Sequence, residues 1–145
     1  MAAVFPSADW CRAALALANQ DPELPAALAG FTSDVGVAVL TGASAAPAAL
    51  VLHLRPQAGQ LALVALTSDL DLLDELDGAL VARAPYAVWK ALLQGTLDPI
   101  EAVLTRRVQV QGDVQPIIER VRFGGIVDRV LAQLETTFID EGAQP

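Results

Sequence analysis

The chain has 145 residues and carries 17 acidic against 9 basic side chains, for a net charge of −8, and 54% of its residues are hydrophobic. This length predicts one domain over residues 1–145, and the negative field argues against nucleic acid and stable membrane insertion. A single cysteine excludes an intramolecular disulfide, and residues 1–10 carry no secretory signal, so the expected location is the cytoplasm.

The hydrophobic surplus is aliphatic, since only 5% of the residues are aromatic and Ala, Leu and Val supply most of the rest. Ordinary soluble domains contain roughly 45–50% apolar residues. A larger core, a subunit interface such as that of a homodimer, and an apolar cavity could each accommodate the excess. Composition alone does not separate these three.

The first thirty residues predict two helices. Ser7 can cap the first, whose apolar residues recur at helical spacing from Trp10 to Ala18. The second begins at Asp21-Pro22-Glu23, which places a carboxylate at the cap, a proline at the first helical position and an acid in the first turn. Its predicted buried side consists of Leu24, Ala27 and Leu28.

Three strand-like runs follow, over residues 35–39, 50–55 and 61–66. In the first run β-branched residues share one face and small residues the other, and in the second leucines alternate with other residues. Short turns favour antiparallel neighbours. Residues 35–54 contain no Asp, Glu, Lys or Arg over a length that could span a bilayer. Their glycines, their proline and their alternation indicate two strands and a turn instead.

Residues 67–78 predict a short amphipathic helix with its acids in solvent, and residues 80–83 a fourth strand. A helix after Pro85 presents Val88, Trp89, Leu92 and Leu93 on one side and ends at Gly95. Asp98-Pro99-Ile100-Glu101 has the pattern of a capping box and begins another helix. The predicted inward face of that helix consists of Ile100, Val103 and Leu104.

Residues 107–111 alternate as a fifth strand, with Val108 and Val110 inward. Gly112-Asp113 is expected to cap a final helix through Pro116, which Gly124-Gly125 kinks or splits, and the chain is expected to fray after Thr137, about residues 139–145. The order of elements predicts an α+β architecture, a mixed sheet with helices mostly on one face.

The sequence offers little catalytic chemistry. Cys11, early on a helix, is expected to be buried and inert, and His53 to have a structural role. The acidic run lacks the glycine and glutamate of a calcium-binding EF-hand loop, and the glycine-rich phosphate motifs are absent. We therefore expect no catalytic residue, no metal and no cofactor. An enzyme using Asp or Glu would need a carboxylate inside an apolar cavity, and none lies on the apolar stripes.

One stretch resembles a known family. The pattern Trp89-x-x-Leu92-x-x-Gly95-x-x-Asp98-Pro99-x-x-Ala102, followed by Val108-x-Val110-x-Gly112-Asp113, resembles the sterol carrier protein 2 family of lipid-binding domains. The opening pattern Trp10…Leu17-x-Asn19-x-Asp21-Pro22-Glu23 is similar to that of bacterial members. The resemblance covers about residues 5–138. It implies a five-stranded mixed sheet covered by helices, with an apolar tunnel between them.

The resemblance also implies non-catalytic binding of a sterol, fatty acid, fatty acyl-coenzyme A or phospholipid. The scarcity of aromatic rings favours a flexible acyl chain over a sterol. The alternative is an accessory or interaction subunit of a lipid or quinone pathway, with side chains filling the cavity. By position, the residues expected to contact ligand are Trp89, Leu92, Leu93, Ile100, Val103, Leu104, Val108, Val110, Ile117, Val121 and Ile126.

The chain departs from the family pattern at Arg106, where a glycine commonly precedes the last strand. A guanidinium there could lie in solvent or meet a ligand carboxylate at the tunnel mouth. Of these two expectations we favour solvent.

Overall fold

A computed structural model describes residues 2–29, 33–41, 49–76, 80–112 and 122–139. The described strands are β1 (Ala2–Phe5), β2 (Val35–Leu40), β3 (Ala49–Gln57), β4 (Gln60–Thr67), β5 (Leu80–Pro85), β6 (Gln109–Gln111) and β7 (Glu135–Phe138). The described helices are α1 (Ala8–Asn19), α2 (Leu24–Ala27), α3 (Tyr86–Leu93), α4 (Pro99–Leu104) and α5 (Arg122–Gln133), with a 3₁₀ helix over Leu70–Glu75.

Five strands form a mixed sheet in the order β4-β3-β2-β5-β6. Strand β2 runs antiparallel to β3 and parallel to β5, so that Val37 lies between Leu52 and Ala82. Ala38 lies on the other face, beside Val51. The predicted α+β class, the mixed sheet and the alternation along β2 and β3 are therefore confirmed.

The two faces of this sheet are covered differently. The face that carries Val37 and Leu52, called here the helix face, contacts residues of α1 and α3. On the opposite face Leu73 of the 3₁₀ helix is buried against Ala38 and Val51. Gly36 lies under this 3₁₀ helix, and a Cβ at that position would come within 2.8 Å of a side-chain carbon of Leu76. The small residues of β2 thus let this 3₁₀ helix, which lies within the predicted amphipathic helix, approach the sheet closely.

A second, two-stranded sheet pairs β1 with β7 in parallel, which the sequence did not predict. Phe5 lies opposite Phe138, and both side chains are buried. The expectation that the chain frays after Thr137 is therefore wrong at Phe138, because pairing and ring burial hold the strand. Residues 140–145 lie outside the described part of the chain.

The caps of the predicted helices are largely as expected. The Ser7 side chain accepts a hydrogen bond from the Trp10 backbone N–H at 3.0 Å, and Asp98 accepts one from that of Glu101 at 3.0 Å. Helix α3 ends at Gly95, whose φ is 76°. There the Thr96 N–H donates to the Ala91 carbonyl at 3.0 Å and the Gly95 N–H to that of Leu92 at 3.2 Å, the two bonds of a Schellman motif.

Arg106 occupies the same position at the end of α4, with φ of 61°. The Arg107 N–H donates to the Ala102 carbonyl at 2.9 Å and the Arg106 N–H to that of Val103 at 3.2 Å. A left-handed residue is required there, and glycine adopts that conformation without strain. Backbone geometry thus explains why a glycine suits this position, and the Arg106 side chain is exposed.

Replacing this arginine should stabilise the protein. Arg106→Gly is expected to raise the free energy of unfolding by about 0.5–1 kcal/mol, since relief of left-handed strain exceeds the added flexibility of the unfolded chain. Gly95→Ala, at the matching position of α3, should lower it by about 1 kcal/mol. Urea unfolding measures both, and equal stability of Arg106→Gly and the parent would contradict this account of the left-handed cap.

The C-terminal part of the helical layer is described from Arg122 onward. Helix α5 runs through Gly124 and Gly125 without a break, so the expected split does not occur there. The predicted helix start at 112–116 falls largely outside the described residues. Within those residues, no helix is long and apolar enough to cross a membrane.

Candidate functional site

The helix face of the sheet carries an apolar cluster that is only partly covered. Among the described residues, more of its large side chains are partly exposed than buried. We call it the α3 cluster. Its buried members are Phe5, Cys11, Val39, Leu50, Leu52 and Phe138, and its partly buried members are Trp10, Val37, Leu54, Leu63, Leu66, Tyr86, Trp89 and Leu93.

A second cluster adjoins it through Trp89 and lies between α3, α4 and the β5–β6 edge; we call it the α4 cluster. Here too the partly exposed apolar residues outnumber the buried ones, whereas the reverse holds for the described clusters at α2 and at the 3₁₀ helix. The members of the α4 cluster are Ala84, Leu97, Ala102 and Val108, which are buried, and Ala82, Val88, Trp89, Ala91, Leu92, Val103 and Val110, which are partly so.

Helix α3 borders both clusters and yet buries none of its eight residues. Trp89 and Leu93 contact the α3 cluster, and Leu92 contacts the α4 cluster. A helix that covers a closed core normally presents a fully buried apolar stripe. Apolar surface on both sides of α3 therefore remains accessible.

The structure brings together six of the residues predicted to contact ligand. Val108 is buried, and the other five are half-buried in the two clusters. The indole N–H of Trp89 donates to the Ala38 carbonyl at 3.0 Å, which fixes the ring over β2. The six are Trp89, Leu92, Leu93, Val103, Val108 and Val110.

Two residues predicted to face inward on α4 do not. Ile100 is 37% exposed and Leu104 is 70% exposed. The prediction for these two is wrong because α4 has only six residues and turns the small, fully buried Ala102 toward the sheet instead.

The last three predicted ligand contacts lie elsewhere. Ile126 is buried, but in a cluster with Leu24 and Val130 beneath α2, apart from α3. Its assignment to the helix that closes the site is thus not supported by its contacts. Ile117 and Val121 fall outside the described residues.

The strand residues of the α3 cluster were not among the predicted ligand contacts. Val37, Leu54, Leu63 and Leu66 lie on β2, β3 and β4 and stay partly exposed beneath the helices. On β2 and β3 the signal was present in the alternation. On β4 it was not, because Leu63 and Leu66 are three residues apart and share the helix face only through the register shift opposite His53 and Leu54. What alternation cannot tell is that this face is left partly uncovered.

Comparison with solved structures identifies the fold. Neither a protein-family model nor a curated protein matches the sequence. A conserved hypothetical protein of Thermus thermophilus, named as a possible sterol carrier protein, matches with a TM-score of 0.68 and 16% identity over 89% of both chains. A crystal structure of sterol carrier protein 2 matches at 0.63 and 18% identity, covering 86% of this chain and 94% of that one. Sterol carrier protein 2 from Yarrowia lipolytica, in its apo form, matches at 0.51 and 10% identity, over 84% and 87%. The chain has the sterol carrier protein 2 fold.

In this sterol carrier protein 2 fold, the polar atoms at the α3 cluster are mostly engaged within the protein. The indole N–H of Trp10 donates to Thr136 Oγ1 at 2.9 Å. Burial raises the pKa of the Cys11 thiol to about 11, so the group is neutral at pH 7. The cluster therefore offers a largely uncharged, apolar surface.

The charged groups around the buried histidine lie on the opposite face of the sheet. His53 Nε2–H donates to Asp34 Oδ2 at 2.7 Å, and Arg55 donates to both oxygens of the same carboxylate at 3.1 and 3.0 Å. Hydrogen bonds from Arg55 and then His53 hold the pKa of the Asp34 carboxyl below its ordinary value. These contacts tie the start of β2 to β3, which fits a structural histidine. No group of three or more acidic, His or Cys side chains in the described residues could hold a metal.

Proposed function

We propose that this protein binds and carries an apolar, lipid-like ligand on the helix face of its sheet, against α3, without transforming it chemically. The observation that carries the proposal is that α3 lies over two apolar clusters and buries none of its residues. A ligand inserted there would complete the burial that the fold leaves open. Candidate ligands are a fatty acid, a fatty acyl-coenzyme A, a sterol or a phospholipid, and two of the similar structures are named sterol carrier protein 2.

The energetics of burial suit an acyl chain. Each methylene removed from water contributes about 0.8 kcal/mol, so a twelve-carbon chain gains roughly 9 kcal/mol before ordering costs. Loss of ligand freedom reduces this gain, so burial of the chain gives an affinity of micromolar order, about −8 kcal/mol, at most. The neutral thiol and the engaged indoles favour carriage over catalysis. A buried free cysteine fits the cytoplasm.

The proposal is tested by filling the space between sheet and helix. Ala82 lies on the helix face in the α4 cluster, between Val37 and Val110. Ala82→Phe is expected to weaken the binding of a fluorescent fatty acid at least about tenfold, because the ring occupies volume the ligand needs. Fluorescence titration of the delipidated protein measures this.

Ala62→Phe is the matched control, since Ala62 lies on the opposite face, beside Arg55. It should leave affinity unchanged. Should Ala82→Phe lower stability too far, Ala82→Val makes the same test with a smaller side chain and a smaller expected loss. Native mass spectrometry with solvent extraction gives the direct readout. A parent protein that holds no lipid and binds no fluorescent fatty acid would contradict carriage.

A second candidate is an accessory or interaction subunit, and the exposure of Ile100 and Leu104 favours it. These residues lie one turn apart on α4 and present apolar surface to solvent. In that case the fluorescence titration gives no binding, while the chain self-associates or co-purifies with an enzyme.

A further inference from the structure

We propose that copies of this chain associate head to tail, with the exposed end of α4 in one copy docking on the acidic 3₁₀ helix of the next. The inference goes beyond ligand carriage and does not depend on it. Its starting point is a group of apolar and basic side chains that the end of α4 presents to solvent.

The first of the two surfaces, called here the α4 corner, consists of Ile100, Leu104, Arg106 and Arg107. Leu104 is 70% exposed, more than any other large hydrophobic residue of the described chain, and Ile100, one turn earlier, is 37% exposed. Both arginines are exposed, and neither has a carboxylate partner among the described residues. The acids of this helix lie at its other end, at the cap and in the first turn.

The backbone of Arg106 gives a second reason to assign a contact to this corner. Its φ is 61°, a left-handed conformation that glycine adopts without strain and arginine does not. The side chain makes no ion pair within the described part of the chain that would offset this cost. Strained backbone at residues other than glycine concentrates at binding sites. A contact outside its own chain accounts for an arginine at this position.

The second surface, called here the acidic surface, is the outer side of the 3₁₀ helix. Its exposed acids are Asp69, Asp71, Asp74 and Glu75. Where the chain is described, none of these acids pairs with an arginine or a lysine. Leu70 lies among them and is 40% exposed. Each surface thus offers a leucine for burial, and the charges beside the two leucines are of opposite sign.

The positions of the two surfaces in the fold decide how copies would assemble. The 3₁₀ helix packs on the face of the sheet that carries Ala38 and Val51. Helix α4 packs beside Ala82 and Ala84, on the helix face. The surfaces therefore point in opposite directions, and two copies cannot exchange both contacts around one two-fold axis. Each copy binds one neighbour through each surface, which gives an open chain or a ring.

The contact is expected to be weak and sensitive to salt. Both surfaces are small, and the net charge of −8 makes copies repel each other at long range. At about 0.1 M salt, charges more than about 10 Å apart are largely screened, so the attraction between the arginines and the acids dominates. A dissociation constant of about 0.1 mM is the expected order there. It should rise severalfold at about 0.5 M salt.

Sedimentation velocity of the full chain, from about 10 µM to about 1 mM protein, measures the assembly. The mean sedimentation coefficient of the parent should keep rising with concentration and should not level off at a dimer. Arg107→Glu and Asp71→Arg should each raise the dissociation constant at least about tenfold, because each places like charges across the contact. Arg12→Glu and Asp128→Arg are the matched controls, since they change the net charge equally at other exposed residues. Neither control should alter the assembly.

Two further samples separate this contact from general effects of charge. An equimolar mixture of Arg107→Glu and Asp71→Arg should associate again, because the intact α4 corner of one variant meets the intact acidic surface of the other. Arg106→Gly should associate more weakly than the parent, although its backbone strain is relieved. Weaker association of a variant that is no less stable to urea assigns the arginine to the contact and not to the fold.

A parent that stays monomeric at every concentration would overturn the inference. A closed dimer, association that strengthens with salt, or equal losses in the two controls would also overturn it. A mixture of the two reversed variants that stays monomeric would contradict the pairing of these two surfaces. Binding of a fluorescent fatty acid is a separate readout, so the carriage proposal stands or fails independently of the sedimentation result.

Discussion

Leu24→Ala is expected to lower the free energy of unfolding by about 3–4 kcal/mol, the largest effect of a single truncation proposed for this protein. Leu24 is 1% exposed and contacts buried residues of α2 and α5, among them Leu28, Ile126 and Val130. Helix α2 has only four residues, too few to be stable alone. Its position therefore depends on this side chain, and truncation leaves a cavity between two helices.

Leu104→Ala makes the same substitution at a site 70% exposed and should change stability by no more than about 0.5 kcal/mol. Urea unfolding followed by circular dichroism compares the two variants with the parent. For a chain of this size, the Leu24 variant should also melt about 6–14 °C lower. Equal losses in both variants would contradict the burial assigned to Leu24.

The sequence predicted those elements whose side chains repeat with a clear period. Alternation along 50–55 correctly placed Leu52 on one face and Val51 on the other, because one face contacts α1 and α3 and the other the 3₁₀ helix. The helix after Pro85 and its stop at Gly95 were also predictable. Both depend on local physics: an apolar stripe, and a residue that tolerates positive φ.

The pairing of β1 with β7 could not be predicted in the same way. Each strand has four residues, too few to establish a period, and the partners are about 130 residues apart. What stabilises them is the packing of Phe5 against Phe138 and Trp10, whose ring centroids lie 6.1 and 4.8 Å from that of Phe5. Such packing is tertiary and leaves no local signal.

In the candidate site, too, some residues could be predicted from their spacing and others could not. Trp89, Leu92 and Leu93 lie on a helix long enough for its apolar side to be assigned from spacing. On α4 the spacing was ambiguous, because Ala102 and Leu104 both fit an inward position in so short a helix. Packing density decided in favour of the smaller residue, since α4 approaches the β5–β6 edge closely at the fully buried Ala102.

The prediction that Asp21 caps α2 and that Pro22 is its first residue is wrong, because the helix begins at Leu24 and its cap is Glu23, whose side chain makes no capping hydrogen bond. Asp21 lies in the turn before the helix, where its carboxylate accepts the Glu23 N–H at 2.9 Å. It also accepts hydrogen bonds from Arg129 of α5, 108 residues away, at 2.6 and 3.0 Å. The Asp21 side chain is only 5% exposed. Asp21 and Arg129 therefore form an ion pair that joins the turn before α2 to α5.

This ion pair should make stability depend on pH, and Asp21→Asn should reveal it. Hydrogen bonds from Arg129, then from the Glu23 backbone, hold the pKa of the Asp21 carboxyl below its ordinary value of 3.8. Because the unfolded chain then takes up the proton first, the stabilisation is complete above about pH 5 and is lost as the pH falls through the folded-state pKa. At pH 7 the variant should have a clearly lower urea midpoint than the parent. As the pH falls through the lowered folded-state pKa, the difference between the two midpoints should shrink, since the parent carboxyl becomes protonated as well.

Asp128→Asn is the control, because Asp128 neighbours Arg129 on α5 but is exposed. Its urea midpoint should stay close to that of the parent over the whole pH range. Urea titrations at half-unit pH steps from 7 to about 2.5 give the three profiles. A difference between Asp21→Asn and the parent that does not shrink in acid would mean that the shape of the turn at Asp21, and not its charge, holds α2 against α5. Convergence would instead assign the stabilisation to the charge that Arg129 and Asp21 share.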